Sequence, residues 1–233
     1  MRVRVVSLLP SVTETLRAWG IDPVACTRFC EQPDLPQVGG TKDPDVAAIV
    51  ALAPDVVVVD EEENRREDAE ALADAGLEVL ATAVRSVADV APTLTRLAAA
   101  LGIPDPGGAG GRSRNRSRSQ ESASATTAFV PIWRRPWMTI NRETYGSSLL
   151  EAVGVANVFA AHPDRYPVVG DLGAVVADRV LAPSEPYPFA ERHRAELEAT
   201  VAPVTFVDGQ DLFWWGVRTP AAIDRLAAVV AGR

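Results

Sequence analysis

The sequence predicts an α/β protein of two Rossmann-like lobes with mainly parallel sheets, joined by a single inter-lobe segment. Three observations carry this. Strand-like and helix-like runs alternate through both halves of the 233 residues, as in parallel α/β units. One run, Val56–Val59, is wholly apolar, which suits a strand covered on both faces. Between the halves lies IPDPGGAGGRSRNRSRSQESASATT, glycine-rich and then alternating Arg and Ser, with no apolar periodicity from which to build a core. The expected division is residues 1–104 for the first lobe, 105–128 for the linker or backbone segment and 129–233 for the second lobe.

The elements follow in order. Val3–Leu9 is a β-rich run that stops at Pro10-Ser11, where SVTE (11–14) forms a capping box for a helix ending near Gly20. Asp43-Pro44, an N-cap followed by proline at the first helical position, opens DVAAIVALA. PDVVVVD gives the buried strand. EEENRREDAEALADAG gives a helix with acid at its start and Gly76 just past its end. LEVLA is a strand, and Ser86 begins a helix reaching Leu101-Gly102. In the second half AFVPI (128–132) is a strand and ETYGSSLLEAVG a helix ending at Gly154. RVLA (179–182) is a strand, AERHRAELEA a helix and VTFV (204–207) a strand. Thr219-Pro220 caps the last helix, with Ile223, Leu226, Ala227 and Val230 at helical spacing.

Composition narrows the function. A formal charge of −8 and a pI near 4.9 oppose a general nucleic-acid or anionic-membrane binder, and against that acidic background the arginines of the central segment read as a solvated linker. No apolar run is long enough to cross a bilayer. Arg2–Leu9 lacks the pattern of a signal peptide, so a cytoplasmic location is expected. Two cysteines are too few for a disulfide scaffold.

The unusual motifs share one property: each directly follows a predicted strand. They are PSVTE, DEEEN (60–64), PIWRRPW, PSEPYPF (183–189) and DGQDLFWWG. In open α/β sheets, ligands bind beyond the carboxyl ends of the strands. Four of the five tryptophans fall in these stretches, beside Arg134, Arg135, Asp208, Asp211 and Arg218. Planar rings with a few fixed charges suit a large, flat, partly polar ligand, with rings stacked on its face and arginines on its peripheral carboxylates or phosphates.

Other groups read more plainly. Cys26 and Cys30 are expected as buried small hydrophobes. His162, in a loop, and His193, on a charged helix, are expected at the surface, so no protein-ligated metal is expected. Glu61, Glu62 and Glu63 are first a helix N-terminal acidic cluster and second a ligand contact. Asp208 reads as a turn residue with Gly209, Asp211 as a cap or ligand contact, and Ser11 as a cap rather than a nucleophile, since GxSxG is absent. GGAGG lacks the spacing for a dinucleotide. No catalytic residue is expected.

VVSLLPSVTETLRAWG followed by VGGTKDPDVAAIVALAPDVVV resembles the amino-terminal lobe of the class III, helical-backbone substrate-binding proteins. TRFCEQP, EENRRED, VPIWRRPWMTI, PSEPYPF and DGQDLFWWGVRT are similar to signatures of one subgroup, the helical backbone metal receptors or cobalamin-binding-like proteins. The resemblance implies two α/β lobes joined by one long helix, and a non-enzymatic role. The ligand held in the inter-lobe cleft would be a large metal-containing or macrocyclic cofactor, a corrinoid (cobalamin) first, then haem or a ferric siderophore. By motif position it implies ligand contacts at Pro10, Ser11, Phe29, Glu61, Trp133, Arg134, Trp137, Tyr187, Asp211 and Trp214. Importer-linked members dock on an ABC permease through a glutamate on each lobe. Those positions hold Arg66 and Val217 here, so permease docking is not expected. Gly107 to Gly111 disfavour a helix start and would limit the connecting helix to about Ser113–Ala125. The alternative is a two-lobed cytoplasmic enzyme acting on a small phosphorylated or sugar substrate, with Asp208, Asp211 and Arg134 as its reactive groups.

Overall fold

The computed structural model describes residues 3–104 and 126–232. The expected linker or connecting helix lies outside the described residues, apart from its last three positions, which open a strand. The chain forms two compact α/β units, one built on residues up to Ala83 and from Asp89 to the end of the first half, the other on Val84–Ala88 and the residues from Thr126 on. Each is described by itself.

The first unit contains β1 (Val5–Ser7), α1 (Pro10–Ala18), β2 (Ala25–Cys26), α2 (Val46–Ala51), β3 (Val56–Asp60), α3 (Arg66–Asp74), β4 (Val79–Thr82) and most of α4 (Val87–Ala100). Its sheet has the order β2-β1-β3-β4 and is parallel throughout. All five residues of β3 are buried, which is the physical reason its sequence is an apolar run rather than an alternation. Val6, Leu8, Val57 and Val59 pack with Ile49 of α2 and Leu72 of α3 in the unit's core.

The second unit contains β5 (Thr126–Phe129), β6 (Trp137–Met138), α5 (Tyr145–Ala152), β7 (Val155–Asn157), β8 (Val168–Val169) and β9 (Arg179–Pro183). Then come α6 (Arg194–Thr200), β10 (Val204–Val207), α7 (Gly209–Phe213) and α8 (Thr219–Val230). Four strands form a parallel sheet in the order β10-β9-β5-β7, and β6 and β8 pair antiparallel beside it. Phe129, Val180, Ala182, Leu197 and Val204 form its core with Phe189. Reading β5, β7, β9 and β10 against β1, β2, β3 and β4 gives the same neighbour order in both sheets. The two-lobed, mainly parallel fold expected from the sequence is the fold observed.

Several expected caps move. α1 starts at Pro10, one residue before the expected box: Leu9 is extended at φ −148°, ψ 143°, and proline occupies the first turn, where its missing N–H costs nothing. Ser11 therefore lies inside the helix rather than capping it, and the Thr13 hydroxyl donates to the Leu9 carbonyl at 3.0 Å. α2 is capped by Asp45, which accepts from the Ala48 amide at 2.9 Å, while Asp43 pairs with Arg28 at 2.9 Å. Glu61 to Glu63 form a turn ahead of α3, whose first-turn acids are Glu67 and Asp68. Thr219 begins α8, and its hydroxyl accepts from the Gly216 amide at 3.1 Å and shares a hydrogen bond with Tyr145 Oη at 2.9 Å. The helix stops hold: Gly76 and Gly154 follow their helices at φ +83° and +80°, a region where glycine avoids a steric cost.

Candidate functional site

Strand order decides which loaded stretches become neighbours. In the second unit β5, β9 and β10 lie side by side, so the stretches leaving their carboxyl ends meet. PIWRRPW forms a tight hairpin: the Ile132 amide donates to the Met138 carbonyl at 2.8 Å and the Met138 amide to the Trp133 carbonyl at 3.1 Å. This puts Trp133 and Trp137 at its two ends. PSEPYPF, leaving β9, inserts its rings among them. Trp133 meets Tyr187 edge-on at 5.6 Å between centroids, and Tyr187 meets Phe189 at 4.7 Å. Phe189 lies parallel to Trp137 at 5.9 Å with an interplanar angle of 8°.

Under this cluster sits His193, 5.5 Å from both Tyr187 and Phe189. It is 5% exposed, contrary to the expected surface position, because a short 3-10 turn at Glu191–His193 precedes α6 and folds the ring inward. Nδ1 accepts from the Ala190 amide at 3.1 Å. Burial, followed by Arg192 and Arg134, holds its pKa below the ordinary imidazole value, so the neutral ring is favoured at neutral pH. The Arg134 guanidinium lies 5.9 Å from the Trp137 ring centroid and pairs with Glu196 at 2.9 Å.

The stretches leaving β9 and β10 interlock in turn. The Gly209 amide donates to Ser184 Oγ at 2.9 Å, and Trp214 Nε1 donates to Glu185 Oε2 at 3.0 Å. A Cβ on Gly209 would stand 2.5 Å from the Glu185 amide nitrogen, so the close approach requires glycine. Asp208 caps α7 by accepting from the Gln210 amide at 2.9 Å, as a turn residue should. Asp211 departs from the expected ligand contact. It is 7% exposed, and Arg225 holds its two oxygens at 2.5 and 2.6 Å, with Arg218 at 3.3 Å. That carboxylate ties α7 to α8 and is spent inside the fold. Arg218 also covers the Trp214 ring at 5.0 Å.

The four clustered tryptophans thus divide. Trp133 is 44% exposed and Trp215 5%, with Trp137 and Trp214 half-buried. Trp215 is core, against the expectation that all four serve a binding surface. All four belong to the second unit. A concavity of about 300 Å³ beside the β6–β8 pair is lined by Val158, Phe159, Val168 and Val176 and does not include the ring cluster.

In the first unit the stretches leaving β1, β2 and β3 are likewise neighbours. They bring Pro10, Ser11, Phe29 and Glu61 to the carboxyl end of one sheet. Phe29 is 50% exposed, and Arg28, anchored on Asp43, covers its ring at 4.8 Å. Glu61 is exposed, while Ser11 is 6% exposed. Beneath them a polar network closes the sheet. Asn64 donates to the Leu8 and Thr41 carbonyls at 3.2 and 2.9 Å and accepts from the Asp60 amide at 2.8 Å. Thr82 donates to Asp60 at 2.7 Å, and burial pushes the Asp60 carboxyl above its ordinary range. DEEEN and PSEPYPF contained Asn64 and Phe189 without marking them singly, and no sequence signal marked His193 or Glu196 for these places.

Cys26 and Cys30 are buried and free of disulfide. Hydrogen bonding with Cys26, Thr13 and Thr27 outweighs burial and draws the Cys30 thiol below its ordinary pKa. The Thr13 and Thr27 hydroxyls both lie 3.2 Å from its sulfur. Among the described residues no group of three His, Cys, Asp or Glu side chains is placed to hold a metal ion. At the two expected docking positions, Arg66 is exposed and pairs with Glu70 at 2.7 Å, and Val217 is half-buried.

The family model described as "Periplasmic binding protein" matches residues 5–109. The vitamin B12-binding protein of Salmonella choleraesuis (strain SC-B67) is 27% identical over 177 residues, covering 71% of this chain and 66% of that protein, just under two thirds of its length. Among solved structures, a periplasmic haem-binding protein from Pseudomonas aeruginosa is 21% identical with a TM-score of 0.81, covering 98% of this chain and 92% of that one. The periplasmic vitamin B12 binding protein of Vibrio cholerae is 19% identical with a TM-score of 0.75, covering 98% and 96%. An ABC transporter substrate-binding protein from Listeria monocytogenes EGD-e is 15% identical with a TM-score of 0.73, covering 98% of each chain.

These findings overturn the cytoplasmic expectation, since the relatives are periplasmic binding proteins. Where a protein has an export segment, that segment is removed from the mature chain, so the packing of a mature fold carries no mark of its compartment. The cytoplasmic-enzyme alternative goes with it: the relatives are substrate-binding proteins, not enzymes. Residues 5–109 thus match the periplasmic binding protein family model, and the chain shares the fold of solved periplasmic vitamin B12- and haem-binding proteins.

Proposed function

We propose that this protein is an extracytoplasmic, non-enzymatic ligand-binding protein. Its ligand is a large macrocyclic or metal-containing molecule, a corrinoid first and haem or a ferric siderophore after it. The observation that carries the reading is the placement of Trp133, 44% exposed and braced edge-on by Tyr187. A ring of that size gains most by burial, so a fold that props it open at the carboxyl end of a parallel sheet leaves it for a partner surface. Trp137, Tyr187 and Arg134 complete that face, and Trp214 flanks it. In the first unit Phe29, Pro10, Ser11 and Glu61 occupy the corresponding sheet end. Relatives that bind vitamin B12 and haem support a flat ligand of this size.

Titration with cyanocobalamin and with haemin, each to well above micromolar, tests the reading. Binding is expected to quench tryptophan fluorescence and shift the ligand's absorbance bands, and Trp133→Ala should weaken it by about tenfold or more. Silence in both signals with both ligands would remove the assignment.

A further inference from the structure

The ring cluster carries its own counter-ion, and this bears on which flat ligand it takes. Arg134 Nε lies 3.0 Å from Glu196 Oε2, and Nη2 lies 3.3 Å from Oε1 and 2.9 Å from Oε2. This is the two-point fork that makes arginine–carboxylate pairs specific. Glu196 projects from the first turn of α6, while Arg134 comes from the β5–β6 hairpin, 62 residues away in sequence. The pair therefore forms only in the folded unit. Among the described residues Arg134 is the one guanidinium placed over a ring of this cluster. Its charge is compensated before any ligand arrives, and burial with its arginine neighbours holds the pKa of His193 behind it below the ordinary imidazole value.

We propose that Glu196 is a specificity-determining residue that tunes the ring face toward a neutral, carboxamide-fringed macrocycle and away from a carboxylate-bearing one. The proposal rests on the binding reading above. A ligand carboxylate that approaches Arg134 meets the Glu196 charge at the same place. It must either displace a two-point partner or pay like-charge repulsion in a site from which the ligand itself is expelling water. A carboxamide has no such conflict, because its carbonyl can accept from the guanidinium while its N–H donates to the carboxylate, leaving the pair intact. The corrin ring is edged by carboxamides, and haem carries two propionates. The built-in pair thus separates two ligand classes that aromatic stacking alone treats alike.

The experiment measures dissociation constants for cyanocobalamin and haemin with the full-length protein, Glu196→Gln and Arg134→Gln, at low and high salt. Circular dichroism and melting curves check that each variant is folded. E196Q should move the ratio of the two affinities toward haemin by about fivefold at low salt, with the gain shrinking as salt screens it. R134Q, which leaves Glu196 without its partner, should move the ratio the other way. A purely structural role would weaken both ligands alike and leave the ratio in place, and that result overturns the proposal. An E196Q ratio shifted toward cobalamin overturns it as well. If the unaltered protein binds neither ligand, the functional reading itself fails; if it binds but the ratio is fixed, only the role of Glu196 fails.

Discussion

The two units share one strand order, β2-β1-β3-β4 in the first and β7-β5-β9-β10 in the second, yet they finish their sheets differently. The first closes the carboxyl ends of β1 and β3 with short, mostly neutral hydrogen bonds centred on Asn64, and leaves a single ring, Phe29, in the open. The second lengthens the segments leaving β5 and β9 and fills the space with interlocked rings and ion pairs. The same topology therefore supports a sewn edge and a loaded edge. What differs is the length and ring content of the connections, as expected when function is carried by loops on a common scaffold.

That contrast can be broken by substitution. The largest expected effect is at Phe189, 5% exposed and in contact with Trp137, Tyr187 and His193. Phe189→Ala should cost about 3 kcal/mol of stability, the range for emptying a buried aromatic site. It should also erase much of the near-ultraviolet dichroism of the second unit's tryptophans. Retention of that signal with unchanged stability would mean the rings are independent of one another.

The first unit's counterpart is Asn64→Ala, which strands the Leu8 and Thr41 carbonyls and the Asp60 amide and should cost about 2 kcal/mol in denaturant unfolding. Asn64→Asp sharpens this. It can accept from the Asp60 amide but cannot donate to either carbonyl, so it should rescue little. Full rescue by aspartate would show that the network turns on the Asp60 amide alone.

The smallest effect is in pH. His193 has a folded-state pKa below the ordinary imidazole value of 6.5. The unfolded chain therefore takes up its proton first, and stability present above that value is lost as the pH falls through it. Arg192 and Arg134 act with burial to depress the value, and Glu196 opposes them. His193→Gln should flatten the acid limb of a stability profile below about pH 6.5 by a fraction of a kcal/mol. An unchanged limb would place the acid sensitivity elsewhere.

Much of the fold was legible in advance. The apolar Val56–Val59 run, the glycines ending α3 and α5, and the alternation of element types each reflect a local rule acting on a few adjacent residues. The pieces that escaped were β2, β6, β7, β8 and α7, each between two and five residues long, too short for any period to register. Caps slid by one or two positions wherever a proline or a second acid competed for the same turn, as at Pro10 and Asp45.

For the site, the sequence by itself determined that its chemically loaded stretches follow strands, because the residues that end strands and open turns announce themselves locally. It could not decide which stretches touch. That depends on sheet order, which hydrogen bonds between distant strands impose. Only tertiary structure set Trp133 against Tyr187, closed Arg134 on Glu196, drew His193 inward and used up the Asp211 carboxylate on Arg225. A charge or a ring has the same identity in any sequence; whether it is free to meet a ligand is settled by the neighbour that folding brings to it.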